Sequence, residues 1–154
     1  MDQPHHYFPV KKIFFSVFTT ALILLAASPR PAVALNENSI AYKLAVLEAR
    51  AQNPEKVLMR QRIKPADAAV MEFQWILDNM KSRCLNPESA IADTIVETWQ
   101  VLTQKEQKIS LLQTARELSS YAQNTRLFGT GKVNFRMTSR YWLQEKLKTI
   151  KTKG

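Results

Sequence analysis

Apolar residues recur at spacings of three and four along most of the chain, which is typical of helices that bury one face. The clearest stripe is five turns long and follows Pro65, a residue well suited to the first turn of a helix. We expect this helix to lie sandwiched between others, because Met71 and Trp75 form a second apolar face. The alternative is that the second face contacts a partner. The main stripe consists of Ala66, Val70, Phe73, Leu77, Met80 and Cys84.

Capping and proline signals predict where the other helices of the first half lie. A first helix is expected to begin near Asn36 or Asn38, with one of them as its N-cap, and to end at Asn53. Pro54 then suits the first turn of a short second helical piece that runs through Arg62.

Two further start signals follow in the second half of the chain. Asn86 followed by Pro87 predicts a helix with an asparagine N-cap and a proline in its first turn. Ser110, with Gln113 three residues later, matches a capping box and predicts a helix that runs to about Asn124.

A last helix is expected to begin near Thr138 or Ser139, after a glycine-containing loop over 127–135. No segment alternates between apolar and polar residues for long enough to predict a strand. The sequence therefore predicts an all-α fold, a small bundle of four to five helices that follows a cleaved signal peptide.

The first 34 residues have the order of a secretory signal. Lys11 and Lys12 precede a run of 15 mostly apolar residues over 13–27, and the small-residue triplet over 32–34 matches a cleavage site. A membrane-spanning helix needs about 20 apolar residues, so we expect removal after Ala34 rather than retention as an anchor. The predicted location is the periplasm, an equivalent lumen or the cell exterior, with no membrane-spanning segment left after cleavage.

Removal of this segment limits the chemistry of the product. Both histidines, His5 and His6, lie within it, so nucleophile–histidine catalysis and histidine-containing zinc sites are excluded from the remainder. We expect no metal site and no cofactor. Cys84 is the single cysteine, so no internal disulfide forms. Its place in an apolar stripe predicts a buried, inert thiol, and an intermolecular disulfide is the alternative.

The net charge of +9 is concentrated at one end of the chain. Residues 35–125 contain 11 basic and 11 acidic residues, whereas residues 126–154 contain eight basic residues and one acid, Glu145. The predicted organisation is therefore a signal peptide over 1–34, a charge-neutral helical core over 35–125 and a basic C-terminal loop and helix over 126–154, packed on the same domain.

Aromatic side chains are interleaved with these C-terminal cations, which predicts a contact surface for an anionic protein, lipid or polysaccharide. Nucleic acid would fit the same charges, but the export signal argues against it. The ordinary alternative is a solvated helix end whose aromatic residues belong to the core. The expected anion-binding residues are Lys132, Arg136, Arg140, Lys146, Lys148 and Lys151, and the expected partner contacts are Phe135, Tyr141 and Trp142.

The leading hypothesis is a non-enzymatic accessory or binding protein. One alternative is a small all-helical enzyme of the chorismate mutase type, in which cationic side chains converge on an anionic substrate. Arg50, Arg60, Arg62 and Lys64 are available for that role, although surface ion pairs would be their ordinary use. Another alternative is a nucleic-acid-binding helical domain, which requires that the N-terminal segment is not a signal.

Overall fold

A computed structural model describes residues 35–105, 107–125 and 131–153, and the predicted signal peptide lies outside these residues. Within them the fold is all-α, as predicted. The described residues form six helices rather than four or five, because the short piece after Pro54 is a helix of its own. The helices are α1 (Ile40–Gln52), α2 (Pro54–Leu58), α3 (Asp67–Arg83), α4 (Glu88–Gln104), α5 (Leu111–Asn124) and α6 (Phe135–Lys151).

The N-cap of α1 is Ser39, and neither of the two predicted asparagines caps this helix. The Ser39 hydroxyl accepts a hydrogen bond from the Tyr42 backbone N–H at 3.1 Å. Asn36 is used one turn earlier, where its side-chain oxygen accepts from the Asn38 N–H at 3.0 Å. The predicted cap at Ser110 is confirmed, because its hydroxyl accepts from the Gln113 N–H at 3.0 Å.

Asn86 does not cap α4, contrary to the prediction. Pro87 is the N-cap residue of α4, and it makes no side-chain cap hydrogen bond. The Asn86 side-chain oxygen instead accepts from the backbone N–H of Phe135 at 2.7 Å. Asn86 therefore satisfies a free N–H group at the start of α6, 49 residues further along the chain.

The helix α6 begins about one turn before the predicted start at Thr138 or Ser139. Asn134 is its N-cap, and its side-chain oxygen accepts from the Met137 N–H at 3.1 Å. Thr138 and Ser139 are buried, and their hydroxyls donate to helix carbonyls, that of Ser139 to Phe135 at 2.7 Å. These hydroxyls are satisfied inside the helix, which explains why they do not serve as its cap.

A short backbone tether holds the start of α6 beside the end of α3. Val133 donates its N–H to the Arg83 carbonyl and accepts from the Leu85 N–H, both at 3.0 Å. These two bonds form an isolated parallel bridge between Cys84 and Val133. Together with the bond from Phe135 to Asn86, they fix where the basic C-terminal helix α6 begins against the bundle.

The core lies between α3 and the helices packed on it, and it continues to the inward side of α6, where Phe135 and Trp142 are buried. The helix α3 packs on α1, α4 and α5, and α6 packs on α4 and α5. The main stripe of α3 is buried from Val70 to Cys84, as its spacing predicts, whereas Ala66, its predicted first member, is exposed because it is only the N-cap residue of α3. Among the described residues, no helix is long and apolar enough to cross a membrane.

The second apolar face of α3 is exposed, so the prediction of a sandwiched helix is wrong. Met71 is 58% exposed and Trp75 is 61% exposed. The neighbouring helices cover one side of α3 only, and the opposite side faces solvent.

Candidate functional site

The last helix, α6, exposes one face that carries most of the described C-terminal charge. Buried Phe135, Ser139 and Trp142 mark the inward side of the helix. Seven exposed side chains fall within an arc of about 140° on the other side, because successive residues turn by about 100°. We call this set the basic face; it consists of Arg136, Met137, Arg140, Tyr141, Gln144, Lys148 and Lys151.

Four residues of the basic face are cationic and none is acidic. Arg136 and Arg140 lie one turn apart, and the set continues through Lys148 to Lys151, about 22 Å along the helix axis. Glu145, the one acid of α6, lies about 40° outside the arc. Within the part of the chain that the structure describes, no carboxylate forms an ion pair with these four cations. The face therefore presents a positive potential, because no carboxylate lies within its arc.

Arg136 and Arg140 also border a groove of about 210 Å³ between α4 and α6. The hydroxyls of Thr98 and Ser139 line this groove, and both donate to carbonyls of their own helices at 2.7 Å. They therefore offer only oxygen lone pairs to a ligand. The two guanidinium groups are the strong donors, and Glu97 adds one carboxylate to the lining.

Lys146 has a different role from the other C-terminal cations. Its ammonium group lies 2.6 Å from the Glu117 carboxylate on α5 and 5.4 Å from the centroid of the Trp142 ring. Burial alone would raise the pKa of Glu117, but hydrogen bonds from Lys146 and Gln113 outweigh it and lower that pKa. Lys146 thus joins α6 to α5, and its charge is already compensated.

The three aromatic residues predicted to contact a partner are separated by the fold. Phe135 is 1% exposed and Trp142 is 7% exposed, so both rings belong to the core. Tyr141 is 47% exposed and lies on the basic face. Lys132 is exposed just before α6, outside its helical register. Of the predicted set, the structure brings Arg136, Arg140, Tyr141, Lys148 and Lys151 together on one face of α6.

Met137 and Gln144 belong to the same face but were missed by the sequence analysis. The signal that would find them is the 100° turn per residue, counted from the correct first residue, Phe135. Arg126 and Phe128, a further cation and a further aromatic residue of the C-terminal segment, lie outside the described residues.

No known protein family, curated protein or solved structure matches this chain. Among the described residues, no group of three or more histidine, cysteine, aspartate or glutamate side chains is placed to hold a metal ion.

Proposed function

We propose that this chain is an exported, non-enzymatic accessory protein that binds an anionic partner through the basic face of α6. The observation that carries the proposal is the run of four cations, Arg136, Arg140, Lys148 and Lys151, without an acid on the same arc. Export rests on the secretory pattern of the first 34 residues, which is a property of the sequence.

The shape of the basic face favours an extended anionic surface over a small ligand. Its cations follow the outside of a helix for about 22 Å, which is longer than a single small anion. Exposed Met137 and Tyr141 lie among them and supply apolar contact area, and tyrosine suits an interface that is apolar on one side and wet on the other. Such an arrangement attracts a polyanion from a distance and binds it with strong salt dependence.

One observation favours the enzyme alternative. The groove between α4 and α6 combines two arginines with the carboxylate of Glu97, as an all-helical enzyme acting on an anion would need. Its volume of about 210 Å³ lies below the roughly 300–1,000 Å³ of most small-molecule sites. A binding role for Arg136 and Arg140 is therefore the better-supported proposal.

The proposal is tested with a charge-removal variant and a matched control. The test variant carries Arg136→Gln, Arg140→Gln, Lys148→Gln and Lys151→Gln, and its binding to phosphatidylglycerol vesicles and to immobilised sulfated polysaccharide is measured at low and high salt. A Lys or Arg near an anionic membrane contributes about 1 kcal/mol, so we expect affinity to fall by roughly 100-fold to 1,000-fold. The control variant, with the same change in net charge, carries substitutions to Gln at Lys43, Arg83, Lys105 and Lys108.

An equal loss in both variants would mean that net charge alone governs binding and would contradict the proposed face. Retained binding in the test variant would do the same. The partner itself is sought by affinity isolation of the protein from its own compartment at low and high salt. N-terminal sequencing of the native protein separates this proposal from the nucleic-acid alternative, which requires an intact N-terminal segment.

A further inference from the structure

A second cavity lies where α1, α2 and the segment after α2 meet, within the part of the chain that has no net charge. We propose that this cavity of about 390 Å³ is a binding site for a small organic anion that carries a phosphate group or two carboxylates. It is separate from the basic face, since none of its residues belongs to α6, and the proposal does not depend on that face. Its charged lining residues are Arg50, Arg60 and Arg62, and its apolar walls are Val46, Val57 and Ile63.

Three arginines line this cavity, and no carboxylate is among the lining residues. The sequence alone favours surface ion pairs for Arg50, Arg60 and Arg62, but none of the ion pairs of the described residues includes them. All three arginines are exposed, so water and salt weaken the repulsion among their like charges but do not replace a counter-charge. An anionic ligand would remove that repulsion, and planar guanidinium groups bind phosphate and carboxylate through paired N–H donors.

The backbone at Arg60 provides an independent reason to expect a ligand. Arg60 has φ of +54° and is the only residue with a side chain and a positive φ in the part of the chain described. Its N–H donates to the Val57 carbonyl at 3.0 Å, and the Gln61 N–H donates to the Lys56 carbonyl at 2.9 Å. These two bonds form the Schellman motif that ends α2, in which this left-handed position usually belongs to glycine.

Glycine would make this turn without the steric conflict that a Cβ atom causes. The presence of arginine therefore calls for a role of its side chain, and strained backbone positions are concentrated at ligand sites. The turn also engages the carbonyls of Lys56 and Val57, so neither is left to repel an anion. The left-handed backbone and the cavity coincide, since Arg60 is one of the three arginines that line it.

The lining also indicates the class of ligand. The volume of about 390 Å³ lies within the range of small-molecule sites, and apolar walls favour a ligand with a hydrocarbon body over a bare inorganic ion. No histidine, cysteine, serine or carboxylate lines the cavity. The site is thus equipped to bind an anion and to hold it, and it contains no group for acid–base or nucleophilic catalysis.

The test is isothermal titration calorimetry of the full-length protein and of the cleaved form with phenyl phosphate, phthalate and the neutral analogue phenol. We expect saturable one-to-one binding of at least one dianion and none of phenol. Hydrogen bonds between charged groups are strong, so Arg50→Gln and Arg62→Gln should each weaken binding by about ten-fold or more. Phenyl phosphate and phthalate distinguish a phosphate ligand from a dicarboxylate.

Arg60→Gly is the decisive variant because its two expected effects have opposite signs. It should raise Tm by about 2–5 °C, because glycine adopts the left-handed conformation without steric conflict. It should also lower the affinity for the dianion by about ten-fold or more, because the guanidinium group is lost. A variant that gains stability and keeps its affinity would overturn the proposal. So would the absence of saturable dianion binding, or a loss of binding in Arg136→Gln/Arg140→Gln equal to that in Arg62→Gln, since the latter would place the ligand at α6.

Discussion

The carboxylate of Glu48 accepts a hydrogen bond from the backbone N–H of Leu112 at 3.2 Å, although the two residues are 64 positions apart. Glu48 is only 5% exposed, and its other oxygen accepts from the Gln52 side chain at 2.8 Å. Leu112 lies in the first turn of α5, where backbone N–H groups have no partner within the helix. A negative charge is favourable there, so Glu48 fastens α1 to the start of α5.

Glu48→Ala should therefore destabilise the fold by about 2 kcal/mol, because it leaves a partly buried N–H of α5 without an acceptor. Glu48→Gln keeps an acceptor oxygen and loses only the charge, so about 0.5 kcal/mol is expected. Urea unfolding followed by circular dichroism at neutral pH measures both. Glu55→Ala, at an exposed position of α2, is the control. If Glu48→Ala lowered the free energy of unfolding no more than Glu55→Ala does, this role of Glu48 would be contradicted.

The capping residues show which parts of the fold the sequence can predict. Ser110 and its partner Gln113 are three residues apart, so the interaction is visible as a local pattern. Asn86 matches the same kind of local signal, yet its partner is Phe135, 49 residues away. Local propensity cannot distinguish these two cases, because tertiary structure decides which free N–H group an asparagine reaches.

The candidate sites show the same division. The charge of the sequence is enough to find the cations of α6. It does not show that Lys146 pairs with Glu117 while Lys148 lies on the basic face, because that depends on the register of the helix and on the position of Glu117. The cavity around Arg60 depends on a left-handed residue that no local rule places at an arginine. Met71 and Trp75 were wrongly expected to be covered by other helices, because an apolar pair at helical spacing looks the same in the sequence whether the pair is buried or exposed.

The tryptophans offer a direct check of which apolar faces are covered. Trp75 is 61% exposed, whereas Trp142 is 7% exposed. Trp75→Ala should change stability by no more than about 0.5 kcal/mol, and Trp142→Ala should cost about 3–5 kcal/mol. Acrylamide should efficiently quench the tryptophan fluorescence of the folded wild-type protein. Trp75→Phe should remove most of the readily quenched emission.

If Trp142→Ala does not fold, Trp142→Phe provides the same comparison at a smaller cost. A wild-type protein whose Trp75 emission resists the quencher would show that a partner or a second copy covers the outer face of α3 in solution.

The thiol of Cys84 is predicted to be unreactive in the folded protein. Its residue is 3% exposed, and burial raises the pKa of the thiol, with a smaller opposing effect of the positive charge of Arg83. Burial slows the attack of Cys84 on a disulfide reagent in two ways, because the reagent has poor access and because only a small fraction of the thiol is ionised to thiolate. Reaction with Ellman's reagent should be slower by on the order of ten-fold or more than in denaturant, where the thiol is freed by unfolding. Cys84→Ala gives the background rate.

Labelling of the folded protein at the denatured rate would contradict the buried position. It would also favour the intermolecular disulfide, which a non-reducing gel of the native protein detects.

The ion pairs between helices predict how stability depends on pH. A hydrogen bond from Arg116 is the main cause that lowers the pKa of Glu72, and the bonds of Glu117 with Lys146 and Gln113 lower that of Glu117. Because these pKa values are lower in the folded state, the unfolded chain binds more protons in acid. Their stabilisation is therefore complete above the ordinary value of 4.5 and is lost as pH falls through the folded pKa values.

Glu72→Gln/Glu117→Gln should consequently be less stable than wild type at pH 7, and this difference should shrink as pH falls below about 4.5. Urea unfolding from pH 7 to pH 3 measures the free energy of unfolding of each variant. Glu55→Gln removes a carboxylate that forms no ion pair among the described residues, so its curve should follow wild type. A double variant with the wild-type slope in acid would mean that solvent screens both pairs, as it does many surface ion pairs, and that these pairs do not help to hold α3, α5 and α6 together.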